Sequence, residues 1–262
     1  VHNHAFDAPA VSLAGDLGGA VVHTLHLPPQ RGLAKALIEA VAREPGLTIA
    51  CVSAWQRRAW AELVRVDVLL PPYVPTAAIP FSPGPGTGAL FAGRLSPEKG
   101  AAEAIEIARA AGVAIDVFGD PYDAQYAREQ IDSRRGEPGV SIHAAVPRKR
   151  LWEAMGRAAV VLCPVRWDEP FGMVAAEAQA CGTPVVAFRR GALEEVILDG
   201  VTGRLVAADD LDAAAAATRT AWSFARGDCR EHARRDLDVE LTLDAHERLY
   251  AKIRARAAVV GG

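Results

Sequence analysis

Gly88-Ala89-Leu90-Phe91-Ala92-Gly93-Arg94-Leu95-Ser96-Pro97-Glu98-Lys99-Gly100 is the stretch on which the fold turns. Ala89 to Ala92 is a short apolar run bounded by glycines, the pattern of a strand buried on both faces. Ser96 suits a helix N-cap and Pro97 the first helical position, so a helix reaching residue 111 is expected directly after the turn. A strand that feeds a helix through such a turn is the opening half of a βαβ unit, with the strand in a parallel sheet.

The same alternation runs outward in both directions. Downstream, strands over 113–118, 140–143, 160–163 and 184–188 alternate with helices over 122–133, 148–157 and 171–181. Upstream, strands over 21–25, 48–52 and 66–70 enclose helices over 33–43 and 53–64, the second capped by Ser53. Residues 71–88 hold six prolines and three glycines, too many for a regular element, and mark a linker. Ala-rich residues 211–225 and residues 241–259 read as closing helices. The expected architecture is α/β with two Rossmann-like domains: 1–80, 81–240, and a C-terminal helix over 241–262.

The net charge of −3 shows no polybasic bias and gives no support to nucleic-acid binding. No apolar run reaches the roughly 18–20 residues of a membrane span. Cys51, Cys163, Cys181 and Cys229 are widely spaced without a CxxC pair, which argues against a disulfide framework or zinc site and for a reducing, cytoplasmic setting. Lysine occurs only at 35, 99, 149 and 252, which singles out Lys99 beside the turn.

Chemistry-bearing residues gather in two places. Arg94 and Lys99 flank an expected helix N-terminus, whose free N–H groups and dipole favour an anion; together they suit a pyrophosphate and its departure. The bland alternative is a βα turn with two solvated cations. The second place is Glu169-Pro170-Phe171-Gly172-Met173-Val174-Ala175-Ala176-Glu177, followed by Ala180-Cys181-Gly182-Thr183-Pro184. Glu169 sits just before the helix over 171–181 and Glu177 about two turns into it; at 100° per residue the two carboxylates stand about 80° apart in projection, so both can face one cleft and accept from sugar or ribose hydroxyls. Their bland alternative is a first-turn charge and a solvated side chain. Trp167 suits either a sugar site or simple packing. Trp55, Trp60, Trp152 and Trp222 read as core or half-buried, and Arg226, Arg230, Arg234 and Arg235 as a solvated face.

Glu169 to Glu177 resembles the E-x7-E signature of the family 4 retaining glycosyltransferases. Phe91 to Gly100 resembles that family's phosphate loop, and Gly191-Ala192-Leu193-Glu194-Glu195-Val196-Ile197 with Asp199 to Gly203 its sugar-side loop and following turn. The resemblance covers roughly residues 1–206. It implies a GT-B fold and a metal-independent hexosyl transfer from a nucleoside-diphosphate sugar, UDP by default, to an unidentified sugar, lipid or small-molecule acceptor. It also implies that no cofactor is needed. Carried over, Gly93, Arg94 and Lys99 contact the donor diphosphate, Gly119 lies near the nucleotide, and Glu177 holds the ribose. Glu169, with the backbone of Phe171 and Gly172, holds the transferred sugar. Val22-His23-Thr24-Leu25-His26 resembles the strand-end segment whose second histidine reaches that sugar, which assigns His26; His2 and His4 are candidates for the acceptor side. Because some relatives act on lipids, a peripheral membrane role is compatible.

The family has Pro where this chain has Glu194, an expected influence on donor preference. Its first strands and their glycine-rich loop have no counterpart here, so the N-terminal domain is expected to be incomplete, with a sheet edge near Val1. A nucleotide-sugar epimerase and a non-catalytic nucleotide-binding remnant are the competing readings.

Overall fold

A computed structural model describes residues 1–5, 7–13, 20–44 and 46–260, with side chains through residue 255. Two units separate by contact, Val1–Pro72 with Val239–Gly262, and Tyr73–Asp238.

The first unit begins with β1 (His2–Asn3), α1 (Ala8–Ser12), β2 (Val22–Leu25), α2 (Arg31–Arg43), β3 (Thr48–Cys51), α3 (Ala54–Trp60) and β4 (Val68–Leu69). Its strands are parallel in the order β1-β2-β3-β4. The apolar face of α2, with Leu33, Leu37 and Ala40, packs with Leu25, Ile49 and the buried Trp60. Ser53 caps α3 by accepting from the Gln56 N–H at 3.0 Å. The helix α1 lacks the apolar periodicity that marks a longer helix; the Asp7 carboxylate caps it, accepting from the Ala10 N–H.

The second unit comprises β5 (Ala89–Ala92), α4 (Ala101–Ala111), β6 (Ile115–Phe118), α5 (Ala124–Tyr126), β7 (Val140–His143), α6 (Arg148–Arg157), β8 (Val160–Cys163), α7 (Met173–Ala180), β9 (Val185–Phe188), α8 (Leu193–Val196), β10 (Gly203–Val206), α9 (Leu211–Thr220) and α10 (Arg226–Asp236). All six strands are parallel, in the order β10-β9-β8-β5-β6-β7. This is the doubly wound order, and the chain reverses its winding between β5 and β8. Every residue of β5, β8 and β9 is buried, as strands covered on both faces must be. The helix α11 (Val239–Val260) returns to the first unit, where Leu249, Ala245 and Ile253 join Val22, Ala50 and Leu70. Among the described residues no helix is long and apolar enough to cross a membrane.

The structure corrects several local expectations. The helix over 122–133 is broken into α5, a π-helical turn (Ala127–Ile131) and a 3-10 turn (Asp132–Arg134). Trp222 is 74% exposed rather than core or half-buried. Arg226 is not on a solvated face: it is buried, and its guanidinium donates to the carbonyls of Ser82, Gly156 and Ala158 and to Thr183 Oγ1 at 2.7–2.9 Å. Arg230 likewise reaches the carbonyls of Thr76, Ile79 and Ala180. The linker carbonyls have no ladder to enter, and these two arginines supply the donors they need. Arg234 and Arg235 are exposed as expected.

Candidate functional site

In an open parallel sheet the crevice for a ligand lies beyond the carboxyl ends of the strands, where the strand order reverses. Here that crevice is framed by the loop after β5, residues 93–100, and the loop after β8, residues 164–172. Both motifs singled out in the sequence are therefore brought to one place by topology.

The first loop does not run straight into its helix. Pro97–Lys99 form a single 3-10 turn, Gly100 adopts a left-handed conformation with φ 78°, and α4 starts at Ala101. Ser96 does not cap the turn; its hydroxyl donates to Glu98 Oε1 at 2.7 Å. A side chain at Gly100 would begin 2.0 Å from the Pro164 carbonyl oxygen, so glycine is needed both for the dihedral and for the close approach of the second loop. The Arg166 N–H donates to the Glu98 carbonyl at 2.9 Å, tying the two loops by their backbones.

Side chains complete the tie. Lys99 Nζ lies 2.8 Å from Glu169 Oε2 and 4.4 Å from the centre of the Trp167 ring. Trp167 Nε1 donates to the same carboxylate oxygen at 2.8 Å, so Trp167 belongs to this cluster rather than to the core. The Glu169 carbonyl accepts from the Ala192 N–H of the sugar-side loop at 2.8 Å. Phe171 is buried with its ring 5.7 Å from that of Tyr73. Gly172, at φ 105°, breaks the chain before α7. Glu169 therefore stands just before the helix that carries Glu177, as expected from the sequence.

Arg94 points elsewhere along the same loop. It pairs with Glu98 at 3.3 Å, and its guanidinium lies 4.3 Å from the centre of the exposed Tyr122 ring. Gly93, Arg94, Phe118, Gly119, Tyr122 and Leu151 border a cleft of about 320 Å³. The walls are mostly apolar, with the Arg94 guanidinium and the Asp120 carboxylate as their charged groups, a setting that suits a flat heterocycle bearing polar groups.

Glu177 is almost entirely buried, and Arg148, from the start of α6, lies 2.8 Å from its Oε1. The approach is an ion pair without hydrogen-bond alignment, so Oε1 keeps an open acceptor direction. Burial raises the Glu177 carboxyl above the usual range, while Arg148 and, more weakly, Trp152 pull it down. Arg148 and Tyr122 left no trace in the sequence patterns, because each meets its partner only through the sheet topology. Cys163, at the end of β8, is buried, and its thiol is pushed up to about 12, mainly by desolvation. It is no nucleophile at neutral pH.

His26 lies in the first unit. Its Nε2 is 3.1 Å from His4 Nδ1. The His4 ring stacks on His2 with centroids 4.1 Å apart, and His2 bonds Tyr250 Oη at 2.6 Å and Thr24 Oγ1 at 2.7 Å. His246 lies 5.6 Å from His2 by ring centroids, and His23 is buried with no hydrogen-bond partner on either ring nitrogen among the described residues. Burial first, and neighbouring imidazoles second, lower all four of His2, His4, His23 and His26, with His2 and His23 brought to about 4. Among the described residues no three His, Cys, Asp or Glu side chains are placed to hold a metal ion.

The model of the family described as glycosyl transferases group 1 matches residues 80–235, more than half of the chain. This chain belongs to the group 1 glycosyl transferases. Among curated relatives, a D-inositol 3-phosphate glycosyltransferase of Acidothermus cellulolyticus is 31% identical over 241 residues, covering 74% of this chain and 52% of the relative. One of the same description from Xylanimonas cellulosilytica is 52% identical over 71 residues, 27% of this chain and 17% of that protein. The chain thus spans about half the length of the first and far less of the second. Among solved structures, that of Anabaena Alr3699/HepE in complex with UDP-glucose superposes with a TM-score of 0.81 at 20% identity, covering 95% of this chain and 78% of that one. The two parallel sheets are those of the GT-B glycosyltransferase fold.

Proposed function

We propose that this group 1 glycosyl transferase moves a hexosyl group from a nucleoside-diphosphate sugar to a hydroxyl acceptor, retaining the anomeric configuration and without a metal ion. The observation that carries the reading is the Lys99–Glu169 ion pair at the switch point, because it joins the cation suited to a diphosphate to the carboxylate suited to a sugar. The cleft beside Arg94 and Gly119 takes the base, and Glu177 accepts from the ribose hydroxyls. An arriving diphosphate draws Lys99 toward itself and leaves Glu169 free to accept from the hydroxyls of the transferred sugar. Charge builds on the diphosphate as the glycosidic bond breaks, and Arg94 and Lys99 stabilise it there. The acceptor oxygen attacks on the face the diphosphate leaves, and a donor phosphate oxygen takes its proton, so no protein nucleophile enters. His26 is assigned to the transferred sugar by resemblance. UDP is the preferred nucleotide, a choice supported by the UDP-glucose bound in the HepE structure.

The test is a thermal-shift titration with UDP, GDP and ADP on the wild type, Arg94→Ala and Glu177→Ala. A nucleotide at about 100 times its dissociation constant adds roughly 2.7 kcal/mol of stability. One nucleotide should stabilise the wild type, and both substitutions should erase the effect. No stabilisation by any of the three overturns the reading.

A further inference from the structure

Glu177 presents a problem that its own helix does not solve. A carboxylate taken out of water favours its protonated form, yet a carboxyl that serves vicinal hydroxyls works best as a charged, acceptor-only group. The charged group that bears on it comes from α6, where Arg148 approaches Glu177 Oε1 to 2.8 Å. The Arg148 side chain is 59% exposed while that of Glu177 is 3% exposed, so a surface cation reaches inward over a buried anion.

We propose that Arg148 is a positioning residue for nucleotide recognition: it holds Glu177 ionised and oriented while leaving Oε1 open to a ribose hydroxyl. The proposal rests on the reading of Glu177 as the ribose contact. Two observations carry it independently of any titration. The ion pair lacks hydrogen-bond alignment, and Glu177 Oε1 is a buried oxygen that no donor among the described residues satisfies. A buried acceptor left open beside a cation is matched to a ligand donor rather than to the protein.

Other groups packed around α7 do not supply the charge. Trp152, also on α6, brings an uncharged N–H that falls short of hydrogen-bond geometry. Cys181, one turn further along, is pushed up to about 12 by burial and stays neutral. From α10, Arg226 and Arg230 spend their donors on backbone carbonyls and Thr183. From α8, Glu194 pairs with Arg189.

The sign of the effect follows. Without Arg148 the Glu177 carboxyl titrates at higher pH, so ribose binding is lost at a pH where the wild type still holds it. The experiment measures UDP and 2′-deoxyuridine diphosphate affinities calorimetrically from pH 5.5 to 8.5 for wild type, Arg148→Gln, Arg148→Lys and Glu177→Gln. In Arg148→Gln, the UDP preference over the deoxy form should match wild type at pH 8.5 and fall by about tenfold at pH 6, the size of one lost hydrogen bond to a charged acceptor. Arg148→Lys should restore most of it, and Glu177→Gln should show a small, pH-independent preference. An Arg148→Gln profile parallel to the wild type, or tighter UDP binding at every pH, overturns the role of Arg148 alone. Equal UDP preference in wild type and Glu177→Gln overturns the ribose assignment, and the role of Arg148 with it.

Discussion

Lys99 and Glu169 lie seventy positions apart in the chain and 2.8 Å apart in space, each at the end of a strand on one side of the winding reversal. The pair is partly buried, and Trp167 closes it with an indole N–H to the same carboxylate and a ring face toward the ammonium. In the donor-binding role proposed for the site, a diphosphate competes with Glu169 for the same ammonium.

Replacing Lys99 with Met keeps the stem and removes the charge. Nucleoside diphosphate affinity should fall about tenfold or more, the size of one lost hydrogen bond to a charged group. Isothermal titration with UDP checks this. Unchanged affinity would remove Lys99 from the diphosphate site.

Arg226→Met should be among the most destabilising single changes in the second unit. It removes four donations and leaves the carbonyls of Ser82, Gly156 and Ala158 without them. Losses of about 3 kcal/mol or more are expected for breaking such a buried charged network. The exposed Arg234→Ala, in the same helix, should stay within about 0.5 kcal/mol. Urea titrations of the two variants decide it.

Acid should weaken the first unit before the carboxylates titrate. His2 and His23 sit at about 4 in the fold against 6.5 in the open chain, because burial and neighbouring imidazoles oppose their charging. The unfolded chain therefore binds more protons between those values, and stability present above pH 6.5 is lost as the pH falls toward 4. Asp7 acts against this at His23 but is outweighed. The urea midpoint should drop from pH 6.5 to pH 5, and His23→Leu should flatten that drop. An equal slope in the variant would exclude His23 as a source.

Two glycines should respond in opposite directions to alanine. At Gly100 the new Cβ meets the Pro164 carbonyl and the dihedral is left-handed, so both stability and nucleotide binding should fall. Gly32 lies in α2 with open space where a Cβ would point, and Gly32→Ala should add about 0.5–1 kcal/mol. Melting temperatures of the pair check both signs.

The α/β class and most elements of the second unit were legible in the sequence, because short apolar runs and period-3.6 apolar patterns are local properties. The helix over 148–157 and the strand over 140–143 coincide with α6 and β7 residue for residue. The elements that went unread or misread are those whose stability comes from distant partners. The short α1 depends on Asp7 and on packing against α2, and Pro97–Lys99 form a separate 3-10 turn because Gly100 must turn beneath Pro164. The arginines of α10 looked solvated because a cluster of charged residues says nothing about linker carbonyls in need of donors.

Among the site residues, the sequence by itself determined their chemical types and their place after strands: Arg94 and Lys99 on one loop, Glu169 and Gly172 on another, His26 at the end of β2. Local pattern is sufficient for that, since a strand, a turn and a helix are each written within about a dozen residues. Only the tertiary structure decided that Lys99 meets Glu169 and Trp167, that Arg148 covers Glu177, and that five of the chain's seven histidines gather in the first unit. Strand order sets those meetings, and it is chosen by how buried sheets and helices pack together, a sum over the whole unit that no short stretch of residues contains.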